Sequence, residues 1–221
     1  VDIPELILID VDGTLVDSVP DLAWSVDAAM RDLGLPERGE IAVRNWVGNG
    51  VEKLVHRALM NDLDKEADIT DFESALEIFK KHYAQNTSKR STLYPGVTEA
   101  LEWFKAEKFN LGCVTNKAKA FTEPLLKDLG VYDFFSIVVS GDTLKVKKPD
   151  PGPLLHVSDF FNVAPAKSLM VGDSISDVKA ARAAGFKMAC MSYGYNHGED
   201  ISLASPDLVL DRMDELITLL K

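Results

Sequence analysis

Short, unbroken runs of apolar residues recur along the chain at residues 6–9, 111–114, 137–139, 169–171, 188–191 and 208–210. Runs of this length suit strands buried on both faces of a parallel sheet. Most of the gaps between them carry helical spacing. Val97, Leu101 and Phe104 share one helix face, as do Leu154, Val157 and Phe161, and Met213, Leu216, Ile217 and Leu220. Leu125 and Leu129 form another, on a helix where Pro124 is expected within the first turn, since its missing N–H leaves no bond unmade there. Gly34, Gly130 and Gly185 each follow a periodic stretch, the place for a left-handed residue that ends a helix. Strands alternating with helices predict an α/β fold built on a doubly wound parallel sheet.

Residues 17–90 interrupt this rhythm and give no strand signal. Val19, Leu22, Val26, Ala29 and Leu33 follow helical spacing; so do Val51, Leu54, Val55, Ala58 and Leu59, and Phe72, Ala75, Leu76, Phe79 and Tyr83. The predicted organisation is a Rossmann-like core made of residues 1–16 and 91–221, with an α-helical cap of residues 17–90 inserted after the first strand. Such an insert leaves the sheet at the edge where open α/β folds bind their ligands, and it is expected to act as a lid.

Composition narrows the partners. The 221 residues accommodate a core domain and a modest insert, and 46% hydrophobic with 27% charged residues is ordinary for a globular protein. Lys and Arg number 24 against 35 Asp and Glu, a formal net charge of −11, which argues against nucleic acid or an anionic membrane surface as partner. An anionic substrate would need cations gathered locally. No apolar run approaches the roughly 20 residues that cross a bilayer, and no basic stretch followed by an apolar one opens the chain. Cys113 and Cys190 lie in separate apolar runs and read as buried thiols, in keeping with a cytoplasmic protein. The expected partner is a small metabolite; monomer and homodimer both stay open.

The candidate chemistry sits at predicted strand ends. Asp10-Val11-Asp12-Gly13-Thr14 closes the first strand. Two carboxylates spaced by two can face the same side of extended chain, and Gly13 permits a sharp turn just beyond them. A second acidic group, Asp173 with Asp177, follows the run at 169–171. Strands of a parallel sheet end on one edge, so Asp173 is expected to meet Asp10 and Asp12. Three converging carboxylates repel unless a cation joins them, and a hard divalent ion such as Mg²⁺ is the natural one. Asp177 alone also suits the first turn of a helix. Thr115 and Asn116 end another strand, where a hydroxyl and backbone amides can hold phosphoryl oxygens. Lys148, before Pro149-Asp150-Pro151, can neutralise phosphoryl charge. In the insert, the Gly48-Asn49-Gly50 turn and Arg44 are candidates for reading the other end of a substrate, Arg44 as a bidentate partner for a carboxylate.

In order, Asp-x-Asp-Gly-Thr, Thr-Asn, Lys-Pro and Gly-Asp-Ser-x-x-Asp resemble the four motifs of the haloacid dehalogenase superfamily across essentially the whole chain, and the helical interval resembles that superfamily's cap. Within it, Trp46-Val47-Gly48-Asn49-Gly50, Val114-Thr115-Asn116-Lys117 and Tyr193-Gly194-Tyr195-Asn196 resemble the bacterial phosphoglycolate phosphatases. The resemblance implies Asp10 as nucleophile and Asp12 as general acid and base. It implies Mg²⁺ held by Asp10, the Asp12 carbonyl and Asp173. Thr115 and Lys148 would hold the phosphoryl group, with Asp177 in an outer position. The implied activity is hydrolysis of a small phosphomonoester, 2-phosphoglycolate foremost, through an aspartyl-phosphate. A sugar phosphomutase of the same superfamily and a phospho-aspartate receiver domain are the competing readings.

Overall fold

The structure, a computed structural model, describes residues 3–65 and 67–221, the side chains of Ile69 and Thr70 apart. Its frame is a six-stranded, all-parallel sheet: β1 (Leu6–Ile9), β4 (Asn110–Val114), β5 (Ile137–Val139), β6 (Ser168–Gly172), β7 (Lys187–Met191) and β8 (Leu208–Leu210), in the spatial order β5-β4-β1-β6-β7-β8. β1 lies at the centre, pairing with β4 on one side and β6 on the other. All four of its residues are buried because successive side chains enter opposite faces. Ile7 and Ile9 join the core under α5 (Val97–Ala106), α6 (Lys119–Asp128) and α9 (Glu215–Leu219). Leu6 and Leu8 join a second core under α7 (Gly152–Phe161) and α8 (Ile175–Ala184). This is the doubly wound α/β fold that the alternation of runs and helices predicts.

Four helices stand between β1 and α5: α1 (Val19–Asp32), α2 (Gly39–Trp46), α3 (Val51–Met60) and α4 (Ile69–Ala84). Their apolar faces make a separate core in which Val26, Trp46, Leu54, Phe79 and Tyr83 meet. The chain enters this insert through β2 (Val16–Asp17) and leaves through β3 (Thr92–Leu93), and these two strands pair antiparallel into a short ribbon. Asp21 stitches the same place: fully buried, it accepts hydrogen bonds from the backbone N–H groups of Arg90 and Ser91, each at 2.8 Å, and from Ser91 Oγ at 2.7 Å.

One expectation fails locally. Pro124 is the sixth residue of α6, beyond the first turn. It removes an N–H and leaves the Ala120 carbonyl without its helical donor. Both residues are exposed, so water can serve that carbonyl, and the helix runs on to its left-handed end at Gly130 (φ 73°). Cys113 and Cys190 are free and buried, as their surroundings predict. Among the described residues no helix is long and apolar enough to cross a membrane.

Candidate active site

Because every core strand runs the same way, the segments after β1, β4, β6 and β7 open on one edge. There Asp10, Asp12, Thr115, Asn116, Lys148 and Asp173 line one end of a cavity offering about 220 Å³ to water-sized occupants. The turn after β1 is tight: the N–H groups of Thr14, Leu15 and Val16 all reach the Val11 carbonyl. Gly13 (φ 82°) makes it possible, since a Cβ there would lie 2.2 Å from Asp173 Oδ2. Asp173 is thereby pressed against the turn, accepting from Thr14 Oγ1 at 2.8 Å and from the Tyr195 N–H at 2.6 Å.

Lys148 and Asp177 form the far wall. Lys148 Nζ lies 3.0 Å from Asp10 Oδ1, 2.7 Å from Asp177 Oδ1 and 2.8 Å from the Val114 carbonyl. Burial disfavours this ammonium, but the two carboxylates outweigh that and raise its pKa. Asp177 Oδ1 is held by this ion pair alone and accepts no hydrogen bond. Its Oδ2 accepts from Ser174 Oγ and from the N–H groups of Asp173 and Ser174, closing a capping box at the start of α8. Thr115 is buried at the end of β4, and its Oγ1 accepts from the Lys117 N–H at 3.2 Å. Asn116 donates to the Lys148 carbonyl at 2.8 Å, while its own Oδ1 is buried without a protein partner.

Asp10, Asp173 and Asp177 each offer an oxygen within 4.8 Å of the others, all three buried. One lysine does not balance three charges. Burial, with Asp177 adding its charge and Lys148 opposing, pushes the Asp10 carboxyl up to about 6. Burial and the neighbouring Asp177 and Asp10 raise Asp173 well above the ordinary carboxylate range. Crowded oxygen donors that resist ionisation fit a hard divalent cation, which would favour their charged forms. With Asp177 committed to Lys148 and the cap of α8, Asp10 and Asp173 are the side chains with oxygens to offer.

Asp12 faces away from this cluster. Lys117 Nζ approaches both of its oxygens, at 2.9 and 3.2 Å, and Ser18 Oγ donates to Oδ1. Lys117 is 2% exposed at its side chain, and its Nζ lies 4.8 Å from the ring centroid of Tyr83, on α4 of the insert. Neither Lys117 nor Ser18 was assigned a role from sequence. Lys117 directly follows the Thr-Asn pair, and that adjacency was the available signal.

The opposite end of the cavity belongs partly to the insert. Val47, Gly48, Asn49, Gly50, Val51 and Leu54 line it, facing Ser176, Tyr195 and His197 of the core. Asn49 (φ 64°) accepts from Ser176 Oγ at 3.0 Å, and Arg57 Nη1 steadies the turn through the carbonyls of Trp46, at 2.6 Å, and Gly48. Arg44 is elsewhere. Its guanidinium makes a two-pronged pair with Asp17, both contacts at 3.1 Å, and also meets Glu40 at 2.9 Å; it is not among the cavity-lining residues. Where the sequence analysis expects Arg44 to meet a substrate carboxylate, the chain's own carboxylates occupy its fork, away from the cavity lining. Tyr195 and His197 both follow β7; Tyr195 enters the sequence analysis only within the Tyr193–Asn196 resemblance, with no role, and His197 carries no sequence assignment.

The chain matches the haloacid dehalogenase-like hydrolase family over residues 7–191. It is 59% identical to a phosphoglycolate phosphatase of Nitrosococcus oceani over 217 residues, covering 98% of this chain and 96% of that one. It is 44% identical to a phosphoglycolate phosphatase of Thiobacillus denitrificans, covering 95% and 92%. A crystal structure of a predicted phosphoglycolate phosphatase from Haemophilus somnus superposes with a TM-score of 0.92 at 36% identity, covering 98% of both chains.

Proposed function

The chain belongs to the haloacid dehalogenase-like hydrolases, and on that premise we propose that it is a Mg²⁺-dependent phosphomonoesterase that removes phosphate from 2-phosphoglycolate through a phosphorylated Asp10. Membership disposes of the receiver-domain alternative. The observation that carries the reading is the meeting of Asp10, Thr115, Lys148 and Asp173 at the buried end of one cavity whose other end is roofed by the helical insert.

Mg²⁺ bound by Asp10, Asp173 and the Asp12 carbonyl would offset the repulsion between the phosphate dianion and the attacking carboxylate. Asp10 attacks phosphorus, forming one P–O bond as the bond to the glycolate oxygen breaks. Lys148 and the Thr115 hydroxyl hold the phosphoryl oxygens, so that charge developing on them meets fixed, buried donors. Asp12 gives its proton to the leaving alkoxide. It then takes one from the water that attacks the aspartyl-phosphate, which restores the Asp10 carboxylate and releases inorganic phosphate. Lys117 and Ser18 keep the Asp12 side chain in one rotamer beside this path. The insert acts as the lid, positioning small esters and excluding polymers.

The test is phosphate release from a panel of small phosphomonoesters with and without Mg²⁺. The expected result is preference for 2-phosphoglycolate, loss of turnover in EDTA, and no turnover by Asp10→Asn. Full activity of that variant would refute the nucleophile.

A further inference from the structure

We infer that His197, on the loop after β7, is the group that recognises the second anionic centre of the substrate, the carboxylate remote from the phosphate. The inference rests on the reading of the substrate as a carboxylated phosphomonoester and adds the residue that selects it.

Charge in the cavity leads to it. Lys148 is committed to Asp10 and Asp177, and Lys117 to Asp12. Both are at the phosphate end. Among the described residues lining the cavity, His197 is the remaining side chain able to carry positive charge, and no carboxylate pairs with it. A phosphate dianion that also carries a carboxylate would otherwise bring that carboxylate to a roof whose own lining is apolar or uncharged; Lys147 Nζ and Glu52 stand beside Gly50 but do not line the cavity.

The ring's orientation is fixed. His197 Nδ1 lies 2.8 Å from the carbonyl oxygen of Asn45, on α2 of the insert. A carbonyl only accepts, so Nδ1 carries the hydrogen. That leaves Nε2 as the free corner of a ring that lines the cavity and packs on Gly48, where a Cβ would stand 3.4 Å from Nε2. As imidazolium the ring donates at both nitrogens, to Asn45 on one side and to a carboxylate on the other. One residue of the core loop thus fastens the insert at Asn45 and presents a donor to the bound ester. Arg44, adjacent in sequence to Asn45, cannot take this part because its guanidinium is held by Asp17 and Glu40.

Two variants separate these functions. His197 is at φ 53°, a conformation asparagine accepts readily. His197→Asn keeps a donor in the place of Nδ1, able to reach Asn45, and lacks anything in the place of Nε2. His197→Gln keeps a donor near the Nε2 position. The readout is the ratio of kcat/KM for 2-phosphoglycolate to that for 2-hydroxyethyl phosphate, in which a neutral hydroxymethyl replaces the carboxylate. Any loss common to both esters cancels in the ratio. Losing a charge-assisted hydrogen bond should lower the ratio about tenfold or more in His197→Asn, mainly through KM, and less in His197→Gln. A ratio in His197→Asn within twofold of the wild type, or a ratio in His197→Gln lower than that in His197→Asn, overturns the role of His197. A wild-type enzyme without preference for the acid overturns instead the substrate reading beneath it.

Discussion

Replacing Lys117 by Met should destabilise this protein far more than an ordinary lysine substitution. The ammonium is almost wholly buried, against an Asp12 side chain that is 19% exposed. Removing one member of a buried pair leaves the other charge uncompensated, at a cost of about 3–5 kcal/mol. Asp12 keeps the Ser18 hydrogen bond and some contact with solvent, which puts the expected loss near the lower end, about 3 kcal/mol. For a chain of this size that corresponds to a fall of about 6–12 °C in melting temperature. Lys117→Met, Asp12→Asn and the double variant, unfolded in urea with and without Mg²⁺, form a cycle that isolates the pair. With Asp12 already neutral, Lys117→Met should cost about 2 kcal/mol less than in the wild type. A coupling below about 0.5 kcal/mol would show that the pair contributes nothing specific and that Asp12 is held by the turn alone.

The remaining predictions concern the acidic cluster. Gly194→Ala would put a Cβ 2.1 Å from Asp173 Cβ, so Asp173 must move; kcat/KM should fall about 100-fold and the Mg²⁺ concentration for half-maximal activity should rise, whereas unchanged Mg²⁺ dependence would disconnect Asp173 from the ion. In metal-free protein the Asp10 carboxyl near 6 lies above its ordinary value of 3.8, so the fold holds that proton more tightly than the unfolded chain does. Stability from this group therefore rises as pH falls from about 7 towards 4, and Mg²⁺ binding at pH 5.5 should release protons that calorimetry in buffers of different ionisation enthalpy detects. Proton release that is equal at pH 5.5 and pH 8 would contradict that shift.

The sheet was legible because its central strands are unbroken apolar runs: Leu6 to Leu8 and Ile9 have no polar residue to suggest a solvent face, and the helices between runs carry clear stripes. Strand order was not legible, since short runs of similar composition hold no record of their neighbours. The β2–β3 ribbon escaped notice because each strand has two residues, too few for any period. Pro124 departs from the first-turn expectation because the missing bond matters little where the Ala120 carbonyl is open to water. At the site, residues adjacent in sequence were readable and pairings across it were not. Asp10 and Asp12 announce themselves together, whereas Arg44 was read without Asp17, 27 positions earlier, and His197 without Asn45, 152 positions away. Lys117 fell between these cases, next to a recognised pair but with its purpose set by Asp12, 105 positions earlier.

The insert's entry and exit lie side by side in the β2–β3 ribbon, and Asp21 ties the two crossings at their base. A unit whose two ends touch behaves as a cassette: exchanging it for another with the same end spacing closes no new loop in the host and leaves the parallel sheet as it was. Diversification of such a scaffold is then limited less by grafting than by the seam. Any replacement has to offer Lys117 a surface like that of Tyr83 and His197 an acceptor like the Asn45 carbonyl, or the chemistry survives while selectivity drifts.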